Sequence, residues 1–381
     1  MATVTETNIN KSRLVETFVD LIKINSPSFD EREIGTLLRM KLAALGCDIE
    51  LQDYGPSFNL IARKKATDAA LIPFLLNAHM DTIEPTEGIK FDAASEVIRS
   101  TGTTVLGADD KCALAQIIEA LTVVGECSIP HGDIEIVFTS AEEKGLLGAR
   151  NLDFATLRSK HALVLDSGGA VGRIVIGAPM HVTYTMLISG RSAHAGIEPE
   201  RGISAIRAAA SLITKVPDGR IDDETTANIG LISGGTATNV VPRETTVRGE
   251  VRSHSRKTLE HVRHSIFDLA RAVVQAHGAT LSISEQEEYT SFRINENDPF
   301  LGYLEEVFTR CGIAPSRVLT GGGSDANIFN HRGITALNIS TGMQKVHSVE
   351  EEISVRDLCL GSLVVAQAIS NLGMLSRAAG P

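Results

Sequence analysis

The sequence predicts an α/β protein: a mixed, mainly parallel sheet flanked by helices, interrupted by an inserted α+β domain of split-βαβ type. Three observations predict it. Through residues 1–178, apolar runs of strand length alternate with longer runs of helical period, the pattern of a largely parallel sheet. Near Gly177 the period changes, and Val182, Tyr184, Met186 and Ile188 alternate with His181, Thr183, Thr185 and Leu187. The first pattern returns after residue 291. We therefore expect residues 1–178 and 292–381 to form one domain and residues 179–291 a second, inserted one.

Residues 11–25 form an amphipathic pattern, and Asp30-Glu-Arg-Glu33 opens a second helix that Gly46 stops. Strand-like runs follow at 48–52 and 59–63. Residues 71–78 are almost continuously apolar, as a strand covered on both faces should be, and lead into His79-Met-Asp81. Pro85, Gly88 and Gly102 mark the next stretch as a loop or flap. Gly107-Ala-Asp-Asp-Lys111 then begins a helix whose Leu114, Ile117, Ile118, Leu121 and Val124 make one apolar stripe. A strand at 133–139 ends in Ser140-Ala-Glu-Glu-Lys144 and a helix start, and another at 162–165 ends in Asp166.

Inside the insert, a helix at 203–213, strands near 227–233 and 245–252, a helix carrying Leu259, Val262, Ile266, Leu269 and Val273, and a strand at 280–284 give strand-helix-strand-strand-helix-strand. A helix at 299–311, the Gly321-Gly-Gly-Ser-Asp325 loop, a strand at 334–338, the His347 loop and a helix at 353–372 complete the first domain.

A net charge of −11 makes nucleic acid and anionic membrane poor partners. No stretch approaches the roughly 18 apolar residues of a membrane span, and the first residues lack the basic, apolar start of a secretion leader. Five scattered cysteines without a Cys-x-x-Cys pair fit free thiols in a cytoplasmic protein.

The chemistry gathers where strands end, which is where sites form in such sheets. Positions i and i+2 of a strand share a face, so Asp81 can accept the second ring N–H of His79, the usual support of a metal-ligating imidazole. Asp109-Asp110 is more than a helix cap needs, and the two oxygens of one carboxylate can serve two cations. In Glu142-Glu143, one carboxylate can bind a metal while the other takes a proton from water. Alone, each has a bland reading: a surface pair, a cap, a solvated helix start. Asp166 alone reads as a turn residue before Gly168-Gly169, and His347 is unremarkable among 11 histidines. Together, two imidazoles and three carboxylates on separate strand ends form a mixed N/O set that suits zinc, with cobalt or manganese as substitutes.

These motifs resemble those of the zinc-dependent aminoacylase/carboxypeptidase family of metallopeptidases. The resemblance rests on His79-Met-Asp81, Gly107-Ala-Asp-Asp-Lys111, Ser140-Ala-Glu-Glu-Lys144, Leu165-Asp166, Ser192-Ala-His-Ala-Gly196, Thr238-Asn-Val-Val-Pro242, Gly322-Gly-Ser-Asp325 and His347. Their wording is nearest to the tripeptidase T group. The resemblance implies two metal ions bridged by Asp109, one also held by His79 and Asp166, the other by Glu143 and His347. It implies that Asp81 orients His79, that Glu142 is the general base, that Asp110 supports the backbone, and that the Asp109–Asp110 peptide is cis. The insert would be a dimerisation and lid domain, with His194 stabilising the oxyanion and Asn239 and Arg252 binding substrate. Gly321-Gly-Gly323 lacks the Lys-Ser/Thr of a phosphate loop, so Gly322 and Gly323 read as substrate-lining backbone. The expected activity is cleavage of short peptides, aminopeptidase- or tripeptidase-like. Alternatives are an N-acyl amino acid deacylase or carboxypeptidase of the same family, or a non-catalytic binding homologue. One departure, a short stretch between His79 and Asp109, argues against strict tripeptide specificity.

Overall fold

Every residue of Phe74–His79 is buried, and the sheet that carries the candidate ligands is built around this strand. A computed structural model describes residues 4–93 and 95–378. The chain divides into two units. The first runs up to Ile176 and includes Arg293–Leu319 and the chain from Ser324 onward; the second is Gly177–Phe292 with Thr320–Gly323.

The sheet of the first unit contains β1 (Asp48–Tyr54), β2 (Ser57–Lys64), β3 (Phe74–His79), β4 (Ile134–Thr139), β5 (His161–Ser167), β6 (Arg173–Ala178) and β7 (Thr335–Ser340). Their order is β1-β2-β4-β3-β5-β7-β6. The central strands β4, β3, β5 and β7 are parallel. Pairing is antiparallel on the flanks, at β1–β2, β2–β4 and β7–β6. The sheet is thus mixed, and the parallel part at its centre points β3, β4 and β5 the same way. Their carboxyl ends share one edge, with His79 paired opposite Thr139.

The helix after Gly107, α3 (Ala108–Glu126), departs from the single-stripe expectation. It is buried on nearly every side, including Lys111, Gln116 and Glu119. The reason is its position: α1 (Lys11–Ile22) and α4 (Val355–Ser370) both pack against it, as do β3 and β5. Most of its buried polar side chains find a partner through at least one atom, although Gln116 Oε1 and Asp110 Oδ1 have none among the described residues. Gln116 donates to the Thr341 carbonyl at 2.8 Å, and Glu119 accepts from Arg13 Nε at 2.7 Å and from the Asn10 N–H at 2.8 Å.

The stretch after Asp81 is more ordered than a loop or flap. Phe91–Asp92 and Val97–Ser100 join Met343–Gln344 and Glu352–Ser354 in a four-stranded antiparallel sheet. This sheet brings the segment that follows His347 against Val97–Ser100, shortly before the Asp109 turn. A strand at Ser316–Leu319 and a helix at Asp325–His331 are further elements that the sequence pattern does not reveal.

In the second unit the strands lie in the order Gly219–Asp222, Thr225–Gly234, Glu244–Ser253, Met180–Ser189, Thr280–Tyr289, all antiparallel. The last four make the split-βαβ plait; the first adds a short hairpin. Helices Ala205–Ile213 and Arg256–Ala276 contribute Leu212, Leu259 and Ile266 to a core shared with Met186, Val247 and Val251. Each helix has a serine N-cap: Ser204 accepts from the Arg207 N–H and Ser255 from the Thr258 N–H.

Candidate metal centre and active site

His79 closes β3, Asp166 lies near the end of β5, and Glu142 and Glu143 occupy the turn that follows β4. Asp109 enters from the start of α3, where Asp109 and Asp110 leave helical geometry and the peptide between them is cis. His347 comes from the C-terminal loop with φ +61°, a left-handed conformation that costs about 1–3 kcal/mol in a non-glycine residue and recurs at functional sites.

Asp109 stands between the two imidazoles. Its Oδ1 is 3.1 Å from His79 Nε2, and its Oδ2 is 3.2 Å from His347 Nε2. Each imidazole nitrogen faces one more carboxylate: Asp166 Oδ1 lies 3.7 Å from His79 Nε2, and Glu143 Oε1 lies 3.1 Å from His347 Nε2. Two triads result, His79–Asp109–Asp166 and Asp109–Glu143–His347, each with its donor atoms within 4.8 Å of one another. Donors about 2.0–2.2 Å from a shared tetrahedral ion lie roughly 3.4 Å apart. Both triads therefore fit a divalent cation. A third grouping, His79–Glu142–Glu143, meets the same criterion and leaves Glu142 open as either ligand or base.

The electrostatics point the same way. Burial works against a charged His79, but the nearby carboxylates of Asp109, Asp166 and Asp81 outweigh it and hold the imidazole well above its ordinary pKa. For His347, Asp109 and Glu143 push the value up to about 10. Burial opposes ionisation of Asp109, yet the two imidazoles hold it well below the usual carboxylate range. Asp166 is pushed up to about 7, first by burial. Burial and the charges of Asp166 and Glu143 raise Glu142 well above its ordinary value. Carboxylates crowded this closely demand positive charge, which the two imidazoles supply by themselves and which a divalent ion would supply more strongly.

Buried acceptors hold the turns that present these groups. Asp81 departs from the i, i+2 expectation. Its carbonyl oxygen, not its carboxylate, makes the short contact with His79 Nδ1, at 2.8 Å against 3.5 Å. Strand alternation has ended at this point, and the carboxylate turns away to accept the N–H groups of Glu142 at 2.9 Å and Glu143 at 3.2 Å, with Ser28 Oγ at 2.7 Å. Asp81 thus contacts both His79 and the Glu142 turn. Glu31 accepts the Ala141 N–H at 2.9 Å and Ser57 Oγ at 2.8 Å, steadying a turn in which Ala141 has φ +48°. Asp110 Oδ2 accepts the His79 N–H at 3.1 Å, a backbone contact. Glu351 accepts two N–H groups of the Asp109 turn. Glu31 and Glu351 carry no signal in the sequence beyond their runs of acidic neighbours, Asp30-Glu-Arg-Glu33 and Glu350-Glu-Glu352.

The other sequence-derived candidates belong to the second unit. His194 and Asn239 are exposed and lie on paired segments: the Ala195 N–H donates to the Asn239 carbonyl at 3.0 Å, and the Val241 N–H to Ala193 at 2.9 Å. Arg252 lays its fork on Glu250, Nε to Oε1 at 3.0 Å and Nη2 to Oε2 at 3.2 Å, and reaches Tyr289 OH at 3.4 Å. His181 Nε2 also meets Glu250, at 2.9 Å; with Arg252 it lowers the Glu250 carboxyl to about 2, against the effect of burial. The Gly322 N–H donates to Thr320 Oγ1 at 3.2 Å. Gly323 lies so close to Tyr289 that a Cβ there would sit 2.2 Å from the ring.

Comparison with known proteins adds to this geometry. Residues 176–277 match a peptidase dimerisation domain of the M20 group, and residues 59–175 match peptidase family M28. An uncharacterised Bacillus subtilis protein, YqjE, is 36% identical over 356 residues, 92% of this chain and 95% of that protein. The crystal structure of the aminopeptidase PepT of Bacillus cereus superposes with a TM-score of 0.84 at 36% identity, covering 96% of this chain and all of the other. The chain belongs to the M20 peptidase family. Within it, the chain stands close to peptidase T. A Staphylococcus aureus tripeptidase of known structure reaches a TM-score of 0.89 at 33% identity over 97% of this chain and 99% of its own. This M20 peptidase is accordingly a metal-dependent peptide hydrolase, aminopeptidase- and tripeptidase-like. Among the described residues no helix is long and apolar enough to cross a membrane.

Proposed function

We propose that this M20 peptidase removes the first residue of short peptides, using two divalent ions that Asp109 bridges. His79 and Asp166 complete one site, and Glu143 and His347 the other. Zinc suits such a set of imidazoles and carboxylates, with cobalt or manganese as substitutes. The observation that carries this reading is Asp109, whose two oxygens face two different imidazoles, each with a further carboxylate alongside. Bound there, the ions would lower the pKa of an attacking water and polarise the scissile carbonyl.

Glu142 accepts the proton of that water at a carboxylate oxygen and delivers it to the nitrogen of the leaving amine. Asp81 keeps Glu142 in place through its backbone N–H and steadies His79 through its own carbonyl. His194 is assigned to the carbonyl oxygen as charge builds there. Asn239 and Arg252 are assigned to the carboxylate or reacting carbonyl of the peptide, and Gly322 and Gly323 to its backbone. The first unit is the catalytic domain and the second the dimerisation and lid domain. Five free cysteines suit a reducing, cytoplasmic setting.

A panel of two-, three- and four-residue peptides, with free and blocked ends, tests the activity in the presence of zinc or cobalt. Peptides with a free amino end should release their first residue, and more than one length should be cut. Release of the last residue, or turnover of N-acetyl amino acids alone, would replace this reading by the carboxypeptidase or deacylase one.

We also infer that two chains pair through the second unit. Strand Thr225–Gly234 is matched by Gly219–Asp222 only over residues 225–227, so the rest of that edge has no partner strand among the described residues. Leu231 and Ile232 on it are 62% and 52% exposed, and an apolar open edge invites pairing. Ile232→Asp should shift the chain from dimer toward monomer in light scattering, with little change in melting temperature. An unchanged dimer would move the interface elsewhere.

A further inference from the structure

Glu351 is 1% exposed, although it sits within a run of three glutamates near the C-terminus. Its carboxylate reaches the turn before α3: Oε2 accepts the Gly107 N–H at 2.7 Å, and Oε1 accepts the Asp109 N–H at 2.9 Å. These are N–H groups at a helix start, which have no partner within the helix. Asp109 and Asp110 are also non-helical, and within the turn itself a long bond from the Lys111 N–H to the Gly107 carbonyl, at 3.3 Å, spans them. Glu351 is itself fixed. Its N–H donates to the Ser348 carbonyl at 3.1 Å, and its carbonyl accepts the Ser100 N–H at 3.2 Å. It lies four residues after His347 on the same loop.

We propose that Glu351 is a positioning residue, clamping the Asp109 turn to the His347 loop so that the two ligands meet at one ion. The proposal rests on the metal-ligand reading above. Asp109 and His347 are far apart in sequence, and the Glu351 side chain ties the backbone of one to the segment of the other. The task needs a carboxylate. Ionised, it is acceptor-only, with one oxygen for each N–H. Glutamine would turn an NH2 group toward one of those donors, losing a bond and setting two donors face to face. Aspartate keeps the charge but is one methylene short.

The test is metal binding by the full chain, with Glu351→Gln and Glu351→Asp beside the wild type, titrated with Zn2+ against a chromophoric chelator. The wild type should bind two ions. In the glutamine variant, one ion should lose about 10–100-fold in affinity, the scale seen when groups that support metal ligands are removed, and the other should lose less. The aspartate variant should fall between, and it keeps the test open if the glutamine variant does not fold. The visible spectrum of the Co2+-loaded variant should change as well, because the ligand geometry changes. A merely structural role predicts a lower melting temperature of the metal-free chain with both affinities and the Co2+ spectrum unaltered, and that result overturns the proposal. A wild-type chain that binds no ions overturns the ligand assignment itself, and the proposal with it. Two ions in the wild type and unchanged affinities in the variants overturn the role of Glu351 alone.

Discussion

Glu142→Gln should leave both metal ions bound and lower kcat by about 10²–10⁴-fold. Glutamine has the shape of glutamate but cannot take a proton from water at near-neutral pH. The surrounding structure should not notice the change, because the turn is held through its backbone. The Glu142 and Glu143 N–H groups donate to Asp81, and the Ala141 N–H donates to Glu31. Burial and the charges of Asp166 and Glu143 raise the native Glu142 carboxyl well above its ordinary pKa. Measuring kcat and metal content together also decides the ambiguity of the third grouping, in which Glu142 stands near His79 and Glu143. Full metal content with lost turnover assigns Glu142 to proton transfer. A missing ion would make it a ligand. Unchanged kcat would remove it from the chemistry.

The site residues are legible in the sequence to the extent that strand ends are. His79 follows a continuous apolar run, and Glu142-Glu143 and Asp166 end shorter ones. Parallel strands put such ends on one edge, so local pattern alone suggests that these groups meet. The change of period at Gly177 is equally local, and it falls where the second unit begins. What stays hidden depends on distant pairing. Glu351 reads as solvated charge because nothing near it in sequence shows that its loop folds over the Asp109 turn. Residues 91–100 read as a flap because their strand partner is Glu352–Ser354. Glu31 reads as an acidic helix start, and only the fold places Ala141 beside it. Asp81 meets His79 mainly through its carbonyl for a different reason: a two-residue period holds inside a strand, not two residues beyond its end.

Asp109→Asn should have the largest effect on the metals. Asparagine keeps the shape but offers one oxygen and one NH2 group where aspartate offers two oxygens. In the native chain those oxygens face His79 Nε2 at 3.1 Å and His347 Nε2 at 3.2 Å, so the amide can serve only one side as a ligand. The variant should retain at most one tightly bound ion, and turnover should fall at least as far as in Glu142→Gln. Metal analysis after dialysis, with kcat measured at saturating zinc, checks both. Two tightly bound ions in the variant would rule out Asp109 as the bridge. The metal-free chain gives an independent readout, because Asp109 and Glu143 raise His347 from 6.5 to about 10. A group whose pKa rises on folding contributes stability that is complete below its unfolded value and fades as pH climbs through the folded one. Chelator-treated wild type should therefore lose stability between about pH 6.5 and about pH 10, and Asp109→Asn should flatten that slope. Metal binding runs against the same proton: His347 must be neutral to ligate, so below about pH 10 an ion has to displace its proton. Affinity at that site should rise with pH in the wild type, and rise less steeply once the Asp109 carboxylate is gone.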